Sequence, residues 1–212
     1  SFYLGVKSVC DSATMEVKYT NSWASFDLEK ECAEQLIADG CVLISQHADT
    51  TGAPTACEAK KVPCVGYNID MIPTAPDAAL TSATINWDPY YTYAVQSVIE
   101  GTAIDTDWSK GVKDGADAIT ELNDKTVAKG TKEKVEEAQK GIEDGTIHVF
   151  DTSKFTVGGK TLEELVESGD EDATKLQSYI KDGYFHESDV AGGMTSAPAF
   201  TFIIDGIDSI TK

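Results

Sequence analysis

Short apolar runs alternate with amphipathic stretches through the first half of the chain. Residues 41–46 (CVLISQ) and 62–68 (VPCVGYN) are nearly continuous apolar runs, as is typical of strands buried on both faces. The stretches beside them repeat apolar positions at helical spacing, and two of them end at a glycine, Gly40 or Gly101. The pattern predicts strands over 15–20, 41–46, 62–68 and 79–86, and helices over 2–10, 25–40, 53–61 and 88–101.

This alternation of strand and helix predicts parallel β-α-β units and therefore an α/β fold with a doubly wound sheet. A second region begins near Thr102, where the pattern predicts strands over 115–122 and 146–151 and a helix over 131–145. Beyond Asp151 the chain becomes irregular and acidic, although residues 196–207 are apolar enough to be buried.

The charge of the chain narrows the class of partner. Its 212 residues carry a net charge of -19, which disfavours nucleic acids and anionic membranes as partners. All 17 basic residues are lysines. Because arginine is the side chain whose planar fork matches carboxylates and phosphates, its absence favours a neutral ligand.

Motifs for metal binding and catalysis are missing from the sequence. The five cysteines (Cys10, Cys32, Cys41, Cys57 and Cys64) match no C-x-x-C pattern, and their number is odd. We expect most of them to be small buried residues, with one disulfide open if the protein is extracytoplasmic. The chain has no G-x-S-x-G, P-loop or G-x-G-x-x-G motif, so we expect neither a metal nor a cofactor, and a binding function is the simpler interpretation.

Polar and aromatic residues recur where the predicted strands end. The groups are Asn21–Trp23, Gln46–Asp49, Tyr67–Asp70 and Asn86–Trp87. Because parallel strands end at one edge of a sheet, where α/β proteins bind ligands, these groups should converge on one site. The candidate ligand-binding residues are Asn21, Trp23, His47, Asp49, Asn68, Asp70, Trp87 and, at the junction of the two regions, Trp108.

Several of these residues have an alternative structural role. Trp23 is either a plug over the neighbouring helix or a flat platform for a ring. His47 and Asp49 could hold their loop or cap the helix near Ala53. Asn68 and Asp70 are common turn residues, yet the carboxylate of Asp70 is also a good acceptor for a ligand amine or hydroxyls.

Four stretches of the chain carry a family resemblance: VKYTNSWASFDLEKECAEQLIADG, VLISQHADTTGAPTACEAKKVPCVGYNIDM, APDAALTSATINWDPYYTYAVQSVIEG and DWSKGVKDGADAI. In their order they resemble the basic membrane protein (BMP) or purine nucleoside receptor family of substrate-binding lipoproteins, which serve ABC transporters. The resemblance covers residues 2 to about 151. It implies a type I periplasmic-binding-protein-like fold, in which two α/β lobes close on a ligand about a hinge.

The resemblance also implies a domain organisation. Residues 1–103 would form a ligand-binding lobe without its first strand, residues 104–151 the hinge crossover and part of the second lobe, and residues 152–212 a segment packing on that lobe or the hinge. The family has a whole lobe ahead of this region, so we expect an N-terminal lobe in cis or as a separate chain. The expected location is extracytoplasmic, as a membrane-anchored lipoprotein, and the expected partner is the transporter permease.

By the same resemblance the ligand is a purine nucleoside or nucleobase, and no cofactor is needed. Trp23 resembles the aromatic residue that sandwiches the base, and Asp70, with Asn68, resembles the turn that holds a ribose or a ring nitrogen. His47 and Asp49 resemble the loop that faces the ligand. Nucleoside-binding members carry a lysine where this chain has Ile85–Trp87, so a free base or another neutral ring stays open.

Two other classes of function stay open beside a transport receptor. One is an α/β enzyme, a hydrolase or isomerase, that acts through His47 with Asp49 or Asp70. The other is a ligand sensor that has kept the binding fold without a role in transport.

Overall fold

The computed structural model describes residues 1–186 and 200–210, with side chains up to residue 208. Within these ranges the chain forms seven α-helices and eight strands. The helices are α1 (Phe2–Val9), α2 (Phe26–Asp39), α3 (Gly52–Lys60), α4 (Asp88–Glu100), α5 (Thr131–Glu143), α6 (Leu162–Glu167) and α7 (Glu171–Leu176). The strands are β1 (Met15–Lys18), β2 (Ile44–Ser45), β3 (Cys64–Tyr67), β4 (Ala79–Ile85), β5 (Asp117–Ile119), β6 (Ile180–Lys181), β7 (Tyr184–Phe185) and β8 (Ile207–Ile210).

The chain divides into two compact units. The smaller unit combines residues 1–17 with residues 145–209, and the larger unit contains residues 18–144. The predicted boundaries at 103/104 and 151/152 divide the chain by the lobes of the family's fold, which is a different division from these two units. The two boundaries stay predictions.

A four-stranded sheet in the order β2-β3-β4-β5 forms the centre of the larger unit. The first three strands are parallel, with Ile44 beside Cys64 and Tyr67 beside Ala83. β5 runs antiparallel to β4, with Asp117 beside Ile85. The predicted strands over 41–46, 62–68 and 79–86 and the parallel pairing between them are therefore confirmed in outline.

Small residues fill the core of this unit, where α2 and α3 pack closely together. Ala33, Ala56, Cys57 and Cys64 are buried there. The close approach occurs at Gly52, where an added Cβ would lie 2.3 Å from the carbonyl oxygen of Phe26. Only glycine fits at that contact, because real Cβ atoms do not come so near a backbone oxygen.

The expectation that most of the cysteines are buried is met in part. None of the five, all of which lie in the described ranges, forms a disulfide. Cys57 and Cys64 are buried, Cys32 and Cys41 are half-buried, and Cys10 is exposed. The hydrogen bond that the Cys57 thiol donates to the Cys64 sulfur and the burial of the site raise the pKa of Cys57, which keeps this thiol protonated.

Two strand predictions were wrong in their placement. The strand predicted over 15–20 forms as β1, but it pairs with β8 instead of joining the four-stranded sheet. Residues 146–151 form no strand; only Asp151 makes an isolated bridge, to Tyr184. The predicted apolar segment 196–207 lies partly outside the described residues, and within them Ile204 is buried while Ile203 is exposed.

The smaller unit has an aromatic core, to which Tyr3, Phe155 and Phe185 contribute. A tight turn at Asp182 and Gly183, both with positive φ, joins β6 to β7. Asp-Gly is a favoured pair for such a hairpin, because both central residues of a type I′ turn take a left-handed conformation.

The Asp205 carboxylate holds two segments of the smaller unit together. Its oxygens accept hydrogen bonds from the backbone N–H groups of Gly158 (2.9 Å) and Gly159 (2.8 Å) and from the Thr156 hydroxyl (2.5 Å). The bonds from Thr156, Gly159 and Gly158 hold the pKa of Asp205 below its usual value of 3.8.

Replacing Gly52 with alanine tests the close contact of α2 and α3. Because the new Cβ would overlap the Phe26 carbonyl, we expect Gly52→Ala to lower the free energy of unfolding by about 1–3 kcal/mol. Gly111→Ala in the same unit is the control, since its Cβ would meet only a carboxylate oxygen of Asp117, at 3.7 Å. Equal stability of the two variants in urea unfolding would contradict the packing described.

The pH dependence of stability tests the Asp205 contacts. A carboxyl whose pKa is lowered by folding stabilises the folded state above its unfolded pKa, and this stabilisation is lost as the pH falls through the folded pKa. We expect Asp205→Asn to lower the melting temperature at pH 7. The melting temperature of this variant should also decrease less on acidification than that of the unaltered chain. Asp208→Asn, three residues away and exposed, should leave the profile unchanged; identical profiles for both variants would refute the proposed role.

Candidate functional site

Three loops leave the sheet at the same edge. β2, β3 and β4 are parallel, so their carboxyl ends lie together, and the chain continues there through residues 46–49, 68–70 and 86–87. We call these three loops the rim. The rim contains five of the eight predicted ligand-binding residues, namely His47, Asp49, Asn68, Asp70 and Trp87.

Two rings meet across the ends of β2 and β3. The centroid of the His47 ring lies 4.4 Å from that of Tyr67, and the planes are tilted by 58°. His47 is exposed, and Tyr67 is half-buried below it. Tyr67 thus supports one face of the imidazole and leaves the rest open to solvent.

The turn after β3 fixes the backbone of Asn68 and Asp70. Asn68 has a φ of 70°, a left-handed conformation that asparagine tolerates better than most residues. Its carbonyl oxygen accepts a hydrogen bond from the Thr84 hydroxyl at 2.7 Å. One oxygen of Asp70 accepts the N–H of Ile72 at 2.9 Å, so the carboxylate shapes the turn. Its other oxygen accepts no hydrogen bond from the described residues.

The loop that carries Asn21 and Trp23 adjoins the rim by hydrogen bonding. It follows β1, which is not a strand of this sheet, so the predicted reason for its position was wrong. The backbone N–H of Asp49 instead donates to the carbonyl oxygen of Trp23 at 3.1 Å. The indole is 80% exposed, so the Trp23 and His47 side chains emerge from adjacent loops and neither is buried.

A buried carboxylate fastens both loops. Glu29, in the first turns of α2, is 3% exposed. One oxygen accepts the N–H of Ser25 at 3.1 Å, and the other accepts the N–H and the hydroxyl of Thr50 at 3.2 and 2.6 Å. Ser25 begins the helix, but its hydroxyl makes no capping bond; the cap is supplied by Glu29.

Gln46 supports the same loop from inside. Its side-chain nitrogen donates to the carbonyl oxygens of Ala48 and Thr50 at 3.2 and 3.1 Å. The side-chain oxygen is buried and has no partner among the described residues. Gln46 therefore fixes the backbone on either side of Asp49.

A group of five rings lies beyond the end of β4. We call it the aromatic patch, and its members are Trp87, Tyr90, Tyr91, Tyr93 and Trp108. The Trp108 ring lies 5.3 Å from that of Tyr90 and is stacked with that of Tyr93 at 6.4 Å, so the eighth predicted residue joins the first turns of α4.

The polar groups of the rim include His47, Asn68 and the carboxylates of Asp49 and Asp70. Within the described residues, His47 makes no hydrogen bond to Asp49 or Asp70, and no group of three or more metal-ligating side chains occurs. The loops of the rim contain no lysine. An open cavity of about 400 Å³ in the smaller unit, beside Tyr3, Lys7 and Lys154, contains none of the predicted site residues.

The sequence profile of a known family matches residues 1–151. Its description is the ABC transporter substrate-binding protein PnrA-like family. The chain belongs to this family. Proteins of the family are extracytoplasmic binding proteins and not enzymes. Within the described residues, no helix has the length and apolarity needed to cross a membrane.

Two curated relatives of this PnrA-like chain bear names that differ in ligand. A purine-binding protein of Brucella abortus (strain 2308) is 31% identical over 150 residues, which are 71% of this chain and 42% of the relative. A putative ABC transporter glucose-binding protein of Haloferax volcanii is 29% identical over 72% of this chain and 39% of its own length. The chain thus spans about two fifths of the curated relatives it matches.

Solved structures confirm the type I periplasmic-binding-protein-like fold. A solute-binding protein of an ABC transporter system from Conexibacter woesei matches with a TM-score of 0.54 at 19% identity, over 69% of this chain and 49% of that chain. A transcriptional activator of the comK gene from Bacillus halodurans matches with a TM-score of 0.55 at 18% identity, over 61% of this chain and 46% of that chain. Similarity at this identity shows the fold alone.

Sequence reasoning missed the residues that hold the rim in place. Glu29 falls four residues after Ser25, one more than the spacing of a capping box, so no motif marked it. The close contacts of Tyr90 and Tyr93 with Trp108 depend on how the segment 102–111 returns to α4, which no local pattern indicates. A buried charged side chain of this kind is recognised only when its partners are known.

Removing the Glu29 carboxylate tests its role at the rim. Glu29→Ala leaves the N–H groups of Ser25 and Thr50 without this acceptor, so we expect a loss of at least ~2 kcal/mol in the free energy of unfolding. Hydrogen exchange at the two amides should also accelerate. Glu34→Ala, on the same helix in an exposed ion pair at 4.0 Å, is the control, and a comparable loss there would contradict the proposed anchor.

Proposed function

We propose that this chain is the ligand-binding part of an extracytoplasmic receptor of an ABC transporter. Membership of the PnrA-like family supports this proposal, and the rim supplies exposed rings and acceptors without a cation. Transport also needs a permease as partner and an N-terminal lobe, in cis or as a separate chain. The receptor would be held at the membrane as a lipoprotein.

The proposed ligand is a neutral heteroaromatic molecule, a purine nucleobase or nucleoside. The observation that carries this proposal is the exposed indole of Trp23, on a loop that Asp49 and Glu29 hold against the rim. Stacking on a flat ring is favourable for any base, because each base has a π-face. Asp49, Asp70 and Asn68 supply polar groups for ring N–H groups or hydroxyls.

The names of the two relatives fit one common requirement. One is called purine-binding and the other glucose-binding. A purine and glucose are both uncharged, and each presents a ring face that can pack on an aromatic side chain. A rim with aromatic rings and no lysine accommodates such rings and disfavours anions. The mechanism would be closure of two lobes about the bound ligand, in which ligand contacts favour the closed state.

Binding of adenine and adenosine to the Trp23 variant tests this proposal. We expect Trp23→Ala to weaken binding by at least ~1 kcal/mol, because the base loses its stacking partner. Trp23→Phe keeps a smaller ring and should restore most of the affinity in isothermal titration calorimetry. Unchanged affinity for every purine tested would count against the assignment.

The recovered ligand separates the receptor from the enzyme hypothesis. A receptor returns adenosine unaltered after long incubation, and mass spectrometry of the extracted ligand shows this directly. Conversion of the ligand that depends on His47 would favour the hydrolase or isomerase alternative.

A further inference from the structure

Two buried cysteines, Cys57 and Cys64, lie together inside the larger unit. Cys57 is in the last turn of α3 and is 0% exposed, and Cys64 begins β3 and is 2% exposed. Both belong to one cluster of buried residues, whose other members are mostly alanines. The structure shows both side chains as free thiols. The proposed function leaves these two thiols without a role.

The turn between α3 and β3 brings the two cysteines together. Lys61 ends the helix in a left-handed conformation with a φ of 56°, and the N–H of Val62 donates to the carbonyl oxygen of Cys57 at 3.1 Å. The chain therefore reverses directly after the helix, and β3 begins at Cys64. Burial alternates along β3, with Cys64 and Gly66 buried, so the Cys64 side chain points into the cluster that contains Cys57.

The two sulfur atoms are in hydrogen-bonding contact. The hydrogen bond that the Cys57 thiol donates lowers the pKa of Cys64 and, together with burial, raises the pKa of Cys57. A disulfide requires its sulfur atoms to approach to about 2.05 Å, with the two Cα atoms about 4.4–6.8 Å apart. Because these sulfur atoms already share a hydrogen bond, a small movement of the two side chains is enough to reach that distance.

The donor set and the compartment both favour a disulfide over a metal site. Among the residues that the structure describes, no group of three or more His, Cys, Asp or Glu side chains could hold a metal ion. A structural zinc site needs four such ligands, and this pair supplies two. The chain belongs to a family of extracytoplasmic proteins, and disulfides form and persist in oxidising compartments outside the cytoplasm.

We propose that Cys57 and Cys64 form a disulfide in the extracytoplasmic protein, and that this bond ties α3 to β3. α3 follows the loop that carries His47, and β3 ends at the turn that carries Asn68 and Asp70. A covalent link between the two elements limits how far these two parts of the rim can move apart. The proposal rests on the family's location and does not depend on which ligand the rim binds.

The bond forms by exchange with a disulfide oxidant, such as oxidised glutathione. The thiolate of one cysteine attacks a sulfur of the oxidant, which gives a mixed disulfide and releases one thiolate. The thiolate of the second cysteine then attacks the sulfur of the first and releases the other thiolate. The two cysteines are oxidised, the oxidant is reduced to two thiols, and the protons lost by the cysteines pass through water to these leaving groups. Because both sulfur atoms are buried in the folded chain, the exchange takes place during folding.

Refolding the full chain from urea in a buffer of reduced and oxidised glutathione tests the bond. Under denaturing conditions the chain has five thiols when it is reduced. After refolding we expect two of these to be lost, together with about 2 Da of mass, since two hydrogen atoms leave. Cleavage after Lys60 and Lys61 should leave the Cys64 peptide joined to the peptide that carries Cys57. Because the latter also contains Cys32 and Cys41, fragment ions identify the bonded sulfur.

The bond should also stabilise the folded chain against heat. Because it closes the loop of residues 57–64, we expect the oxidised chain to melt roughly 5 °C above the same chain kept in a reductant. Cys57→Ala should abolish this difference, whereas Cys32→Ala, on α2, should keep it.

The peptide map of the unaltered chain decides the proposal even if a variant fails to fold. Five free thiols after refolding in the glutathione buffer would overturn it, and so would a bond that joins Cys64 to Cys32 or Cys41. No ligand enters these measurements, so their outcome is separate from that of the purine titrations.

Discussion

The buried carboxylate of Glu29 is the interaction on which the candidate site depends. It stands inside the larger unit with three hydrogen bonds, to Ser25 and to both donors of Thr50. A charge in such a place is tolerated only because its acceptor positions are used, and losing either loop would leave it uncompensated. The carboxylate therefore couples the loop that carries Trp23 to the loop that carries His47. The two loops follow strands of different sheets, since β1 pairs with β8 and β2 pairs with β3.

Around this anchor the site is organised by ring position and by charge. Trp23 adjoins the loop after β2, the His47 ring lies against Tyr67, and the aromatic patch lies beyond the end of β4. The carboxylates of Asp49, Asp70 and Asp88 are acceptors, and the chain has no arginine. Such a surface gains binding energy from ring contacts and takes its specificity from hydrogen bonds to uncharged groups. These properties link the acidic composition to the class of ligand.

Much of the fold and part of the site could be predicted from sequence. Apolar runs indicated the strands, and periodic stretches that end at a glycine indicated the helices, so β3, β4 and α2 to α4 were found with bounds close to those observed. β2 was found too, but it has two residues where six were predicted, and burial along the three strands is not complete on both faces. Parallel strands that end at one edge brought His47, Asn68 and Trp87 to one rim. These predictions depended on local patterning, which a sequence displays directly. The ligand-binding roles themselves stay predictions.

Contacts between distant segments were decided only by the tertiary structure. The alternation of residues 15–20 indicated a strand, but not that its partner would be β8, almost two hundred residues away. The sequence indicated β5 as a strand, but not that it would run antiparallel to β4. Residues 146–151 have the pattern of a strand, yet only Asp151 pairs with another segment, through an isolated bridge. The sequence by itself determined which segments are apolar, where helices stop and that the chain lacks arginine. Strand pairing and the partners of Glu29 required the folded chain, because hydrogen bonds between remote residues leave no periodic trace in the residues that make them.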